Sequence, residues 1–76
     1  MGKQRRNDLL LGIVGKKLVE LRTERGFSQQ IVYIHTGIDM DMVESGKYNI
    51  TFSTLIELCN YYKVSLYEFF KGMPNP

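Results

Sequence analysis

The stretch FSQQIVYIHTGIDMDMVESGK, residues 27–47, is the most informative part of the chain because it contains two sets of helix start and stop signals in close succession. Ser28 is a preferred N-cap residue, since its hydroxyl can accept a hydrogen bond from a free backbone N–H of the first helical turn. Gly37 is suited to end the helix, because glycine tolerates the positive φ of a helix C-terminus. These two signals predict a short helix over residues 29–36.

A second, shorter helix is predicted directly after the first. Asp39 is its predicted N-cap and Gly46 its stop, so only residues 40–45 remain for the helix itself. Two short helices joined by a tight glycine turn form a helix-turn-helix, a recurring way to present side chains to the major groove of DNA. The charge of this stretch argues against DNA binding, because residues 27–46 contain three acidic side chains and no lysine or arginine before Lys47.

The flanking sequence predicts three further helices, so the expected fold class is all-α, a compact five-helix domain with a shortened third helix. The first helix is expected to start at residue 7 or 8 and to end near residue 24. The fourth is capped by Thr51 or Ser53, and Ser65 with Glu68 has the capping-box spacing that opens a fifth. No segment alternates clearly between polar and apolar residues, as a strand would.

Apolar residues recur at the three- and four-residue spacing of amphipathic helices and predict a single hydrophobic core. In the first helix the predicted apolar stripe consists of Leu10, Val14, Leu18 and Leu21. Over the whole chain, the residues expected to form one cluster are Leu18, Leu21, Val32, Val43, Leu55, Leu58 and Phe69.

Size and composition indicate one small soluble domain. The chain has 76 residues, of which 43% are hydrophobic, and this fraction argues against disorder. The apolar runs are too short to span a membrane, and the N-terminal sequence does not have the form of a secretory signal. A single cysteine cannot form an internal disulfide, which fits a reducing compartment. We therefore expect a cytoplasmic protein without membrane association.

The chain is expected to form a homodimer through its last helix. A core of this size is marginal unless a partner chain covers apolar surface. Tyr67, Phe69, Phe70 and Met73 provide more apolar surface than one face of the helix can bury internally. A two-fold dimer would cover the surplus.

Charge is distributed unevenly along the chain, whose formal net charge is +2. Residues 1–26 contain seven basic and three acidic side chains, unlike the acidic segment at residues 27–46. A basic arm can contact the phosphates of nucleic acid. The expected organisation is a basic N-terminal arm at residues 1–8, a helix-turn-helix domain at residues 9–71 and a flexible tail at residues 72–76.

Several segments resemble the phage-repressor/Cro-type (xenobiotic-response-element-like) helix-turn-helix family. The sequence VGKKL at residues 14–18 and RGFSQ at residues 25–29 resemble its opening. The segment VESGKYN at residues 43–49 resembles its Ile-Glu-x-Gly-Lys-x-Asn pattern, and residues 54–70 resemble its closing helices. The resemblance covers residues 14–70. It implies a prokaryotic five-helix domain that reads double-stranded DNA as a dimer and acts as a transcriptional regulator.

Two departures from the family pattern affect the helix that would read bases. From Ser28 to Glu44 the chain is shorter by about three residues, close to one helical turn, and the shortening falls after Asp39. In addition, Tyr33 occupies a position where the family has a small residue that lets the two helices approach closely. Its side chain must either point outward or push the helices apart.

Eight residues are predicted to contact DNA. Gln29 matches the family's phosphate-contacting glutamine, and the others occupy base-reading positions, the loop after the third helix, or the arm. For Asp41 the alternative is a helix-dipole role, because phosphate repels a carboxylate. Glu44 is expected to be structural, connecting helix ends. The complete set of predicted DNA contacts is Gln29, Met40, Asp41, Lys47, Tyr48, Asn49, Arg5 and Arg6.

The residues do not indicate an enzyme. His35 and Cys59 are the only histidine and cysteine, too few for a metal site, and 76 residues leave little room for a catalytic pocket. We therefore expect no cofactor, no metal and no small-molecule ligand. The alternative to a DNA-binding regulator is a helix-turn-helix fold turned into a protein-interaction module with little or no DNA binding, because the third helix is short and acidic.

Overall fold

The computed structural model describes residues 8–73, and these residues form five α-helices without a β-strand. The predicted all-α class and the number of helices are confirmed. No helix within residues 8–73 has the length and apolar character needed to cross a bilayer. The helices are α1 (Asp8–Glu24), α2 (Gln29–Thr36), α3 (Met40–Glu44), α4 (Phe52–Tyr62) and α5 (Leu66–Phe70).

The helix starts follow local hydrogen bonds that the sequence predicts. Ser28 accepts a hydrogen bond from the backbone N–H of Ile31 at 3.1 Å, and Asp39 caps α3 in the same way. Thr51, the first of the two predicted candidates, caps α4. Ser65 and Glu68 form the complete capping box at the start of α5. The predicted boundaries therefore agree with the observed ones to within a residue or two.

The hydrophobic core contains all seven residues predicted for it, together with Val14, Met40, Cys59 and Tyr62. The prediction for the first turns of α1 was wrong in one position. Leu11 is buried, whereas Leu10 is 36% exposed. Three leucines follow one another at residues 9–11, and helical spacing alone does not determine which of them faces the core.

α1 and the end of α3 are in backbone contact because three glycines lie where they meet. A Cβ atom added to Gly15 would lie 2.7 Å from the carbonyl oxygen of Glu44, and one added to Gly46 would lie 3.0 Å from the Cα of Gly12. A side chain at Gly15 or Gly46 would separate the two helices. The close contact brings the end of α3 against the middle of α1.

Candidate nucleic-acid interface

An ion pair connects α3 to α1. The Arg22 Nε donates a hydrogen bond to Glu44 Oε2 at 2.6 Å, and Arg22 Nη2 donates to Glu44 Oε1 at 3.1 Å. The side chains are only 14% and 5% exposed, respectively. This hydrogen bonding raises the pKa of Arg22 above its ordinary value. The structural role predicted for Glu44 is thereby confirmed.

The same carboxylate also positions α2. Gln29 donates from Nε2 to Glu44 Oε1 at 2.8 Å, and Arg22 Nη1 donates to the carbonyl oxygen of Phe27 at 2.9 Å. Gln29 is half-buried. Because a side-chain amide nitrogen has two N–H groups, Gln29 can keep this bond and still donate to a phosphate oxygen. The network therefore sets the position of α2 relative to α1 and α3.

The prediction that Met40 contacts bases is wrong, because its side chain is 1% exposed and belongs to the hydrophobic core. A helix of five residues has a single inner face, and in α3 that face consists of Met40 and Val43. The outward residues are Asp41, which is exposed, and Met42, which is 45% exposed. Among the first three residues of α3, only the carboxylate of Asp41 and the thioether of Met42 are therefore available to a ligand.

Of the two orientations expected for Tyr33, outward or between the helices, the structure has the outward one. Its side chain is 55% exposed. It lines a cleft of about 330 Å³ between α2 and α3, together with Gln29, Gln30, Asp39, Met40 and Asp41. The two helices can therefore pack without accommodating the phenol ring between them.

A second cleft continues the same surface toward the loop after α3. Its lining includes Asp39, Met42 and Tyr48. Since Asp39 borders both clefts, Gln29, Asp41 and Tyr48 lie along one continuous surface. We call this surface, formed by the linings of the two clefts, the α2–α3 face. Lys47 and Asn49, which flank Tyr48 in the chain, are also exposed.

The exposed charge on the α2–α3 face is acidic. Glu44 is paired with Arg22, so the exposed carboxylates of residues 27–46 are those of Asp39 and Asp41. Asp39 accepts a hydrogen bond from the backbone N–H of Met42 at 3.3 Å, as an N-cap does. Lys47 is the nearest basic residue along the chain. The predicted contacts Arg5 and Arg6 lie outside the described residues.

Two further surface features were not predicted from the sequence. Ile31 and Ile34, on the outer side of α2, are 39% and 64% exposed. Lys16, Lys17 and Lys71 border a groove of about 270 Å³ between α1 and the turn that follows α5. The groove brings together lysines from opposite ends of the chain, and no local sequence signal indicates such a contact.

The histidine and the cysteine have structural surroundings. His35 is exposed, and its Nδ1 lies 2.7 Å from the Tyr61 hydroxyl. Cys59 is 2% exposed, and burial raises the pKa of its thiol. Within residues 8–73, the histidine, cysteine and acidic side chains do not form a group of three or more that could hold a metal ion.

Comparison with known proteins finds no matching family model, no matching curated protein and no matching solved structure. The resemblance to the repressor/Cro-type family therefore stays a prediction from the residues that carry it.

Proposed function

We propose that this chain is a transcriptional regulator that binds duplex DNA as a homodimer. In each protomer the α2–α3 face contacts the DNA. The observation that carries the proposal is the connection of α2 to α3. Gly37 ends α2 with φ 76°, and the carboxylate of Glu44 bonds both Arg22 and Gln29. Two short helices in a defined mutual position are what a helix-turn-helix needs to place side chains in a groove.

The chemistry of the face supports phosphate contacts more than base reading. α3 exposes only Asp41 and Met42 in its first turn, and phosphate repels the carboxylate. Donors that suit phosphate lie at its two edges, Gln29 at the start of α2 and Lys47 with Asn49 after α3. In this proposal the basic residues Arg5 and Arg6 of the N-terminal arm supply additional contacts.

A salt titration tests the proposal. Fluorescence anisotropy of the full chain with a labelled random duplex should show binding at low salt that weakens steeply as salt is added, because bound phosphates release counterions. Lys47→Ala should weaken binding to all sequences alike and reduce the salt slope by about one unit. Lys71→Ala, an exposed lysine at the end of α5, is the matched control and should leave both quantities unchanged.

The second candidate function is a protein-interaction module. It is favoured by one observation, the combination of exposed carboxylates and exposed large apolar side chains on α2 and α3. In that case the parent chain and the Lys47→Ala variant would both fail to bind duplex DNA at low salt.

A further inference from the structure

We propose that the outward side of α2 is a docking face for a basic amphipathic helix of a partner protein. α2 contains four large apolar residues in succession, and only Val32 is buried. Ile31, Tyr33 and Ile34 are 39%, 55% and 64% exposed. An exposed group of this kind, next to polar residues, is typical of a protein-interaction site.

The two exposed isoleucines share one side of the helix. Ile31 and Ile34 are three positions apart, and Gln30 and Ile34 are four apart, so their side chains are neighbours on the helix surface. Tyr33 extends this group toward α3, where it lines the cleft with Asp39. We call the group Gln30, Ile31, Tyr33 and Ile34 the docking face.

The docking face is bordered by negative charge. Asp39 and Asp41 are exposed beside Tyr33, and there is no lysine or arginine between residues 27 and 46. Glu44 does not add to this charge, because Arg22 pairs with it. The chemistry therefore fits a helix with an apolar stripe and lysine or arginine beside it. A basic side chain could also lie over the exposed ring of Tyr33.

A second copy of this chain fits the docking face less well. A two-fold contact through the face would bring two copies of the same acidic border into one interface. The lysines of the α1 groove, Lys16, Lys17 and Lys71, would neutralise that border, but such a contact is heterologous and leads to rings or filaments. The charge thus favours a different protein. The docking face shares Gln30 and Tyr33 with the α2–α3 face, so the partner helix would compete with DNA for this surface, although the inference itself does not require DNA binding.

Two synthetic peptides probe the docking face of the full chain. The first is an 18-residue helix with leucines at i, i+3, i+4 and i+7 and lysines elsewhere, and the second replaces every lysine by glutamate. In ¹H–¹⁵N spectra, the lysine peptide should shift the amide signals of α2 and the start of α3, whereas the glutamate peptide should not. Signals of the α1 groove should stay in place.

Single substitutions test whether the lysine peptide binds at the docking face. Ile34→Ser should weaken binding of the lysine peptide about tenfold, because it removes an apolar side chain that the bound peptide would bury. Phe52→Ser is the matched control, because Phe52 is 69% exposed on α4, and it should leave binding unchanged. Asp41→Asn should weaken the lysine peptide by a salt-dependent amount. Since both Ile34 and Asp41 are exposed, neither variant is expected to lose the fold.

Four results would overturn the proposal. The first is equal binding of both peptides, and the second is amide shifts confined to another surface. The third is an unchanged affinity for the lysine peptide in both the Ile34→Ser and the Asp41→Asn variants. The fourth is a dimer in sedimentation that Ile34→Ser dissociates. The last result would mean that a second copy occupies the face. The salt titration with duplex DNA uses the parent chain and Lys47→Ala and no peptide, so failure of the docking proposal and failure of DNA binding are distinguishable.

Discussion

The carboxylate of Glu44 accepts two hydrogen bonds from the guanidinium of Arg22, although the residues are 22 positions apart in the chain. A planar fork of donors facing a carboxylate is the strongest arrangement of such a pair. Gln29 adds a third hydrogen bond to the same carboxylate. One acidic side chain thereby fixes the relation of α1, α2 and α3.

We expect Arg22→Ala to destabilise the domain by about 3 kcal/mol, because it leaves the buried Glu44 carboxylate without its charge partner. Urea denaturation measures this change. The double variant Arg22→Met with Glu44→Leu should lose less stability than the two single changes summed, since it removes both charges together. Strict additivity would show that the two side chains act independently.

The effect of pH on this pair has a defined sign. The pKa of Arg22 is raised, so the stabilisation is complete below its ordinary, already strongly alkaline pKa and is lost only as the pH rises through the still higher folded-state value. The contribution of Arg22 should therefore be constant across the neutral range.

Gly15→Ala should destabilise the domain by about 1–3 kcal/mol, because its Cβ would lie 2.7 Å from the backbone of Glu44 and would force α1 away from α3. Gly12→Ala is the matched control in the same helix, since its Cβ would meet nothing within 4 Å. It should stabilise the domain by about 0.5–1 kcal/mol through helix propensity. Thermal unfolding of the two variants should therefore shift in opposite directions.

Tyr62 should make the fold sensitive to alkaline pH. Burial, with a smaller effect of the Glu44 charge, raises the pKa of Tyr62 from 10.0 to about 12. A raised folded-state pKa means that stability is complete below pH 10.0 and is lost as the pH rises toward 12. Tyr62→Phe should reduce that loss, and denaturation midpoints at pH 9 and pH 11 measure it.

At neutral pH, Tyr62→Phe should be neutral or stabilising. The Tyr62 hydroxyl is buried and has no hydrogen-bond partner among the described residues. Removing a buried, unpaired hydroxyl removes a desolvation cost. A loss of more than about 1 kcal/mol would mean that the hydroxyl makes a favourable contact.

Asp41→Asn should strengthen binding to random duplex DNA, because it removes an exposed charge that phosphate repels. Anisotropy titrations of parent and variant at one low salt concentration measure the difference. Glu57→Gln, an exposed acidic residue on α4, is the control for a general change in net charge. If Asp41→Asn instead abolished binding to one preferred sequence and left random DNA unaffected, Asp41 would be a base reader.

Phe70→Ala should weaken the proposed homodimer. Tyr67 and Phe70 are 73% and 41% exposed on α5, whereas Phe69 fills the core. Burial of Phe70 against a second copy would contribute about 1.5–3 kcal/mol, which raises the dissociation constant about tenfold or more. Light scattering at tens of micromolar measures the mass. A monomeric parent chain, unaffected by Phe70→Ala, would contradict the homodimer.

The sequence predicts where α3 begins but not how it is rotated about its own axis. Its cap, Asp39, and its short length were predicted, because both depend on residues close together in the chain. The burial of Met40 was not, since the direction of a side chain in α3 depends on how the helix packs on the core. The site therefore retains Asp41 and not Met40.

The C-terminus of α4 is another feature that the sequence did not indicate. Lys63 ends this helix with φ 61°, a left-handed conformation that usually requires glycine. Two hydrogen bonds from its N–H to Asn60 and Cys59 satisfy the end of the helix. The next residue, Val64, packs against the core.

The number of helices and the residues at which they begin follow from local sequence, because N-caps and capping boxes are hydrogen bonds between residues three positions apart, as at Ser28 and Ser65. The burial of Leu11 rather than Leu10 and the pairing of Arg22 with Glu44 follow instead from how the helices pack. Those outcomes depend on the rotation and separation of whole helices. Rotation and separation are set by the packing of all the helices together, and no short stretch of the chain contains that information.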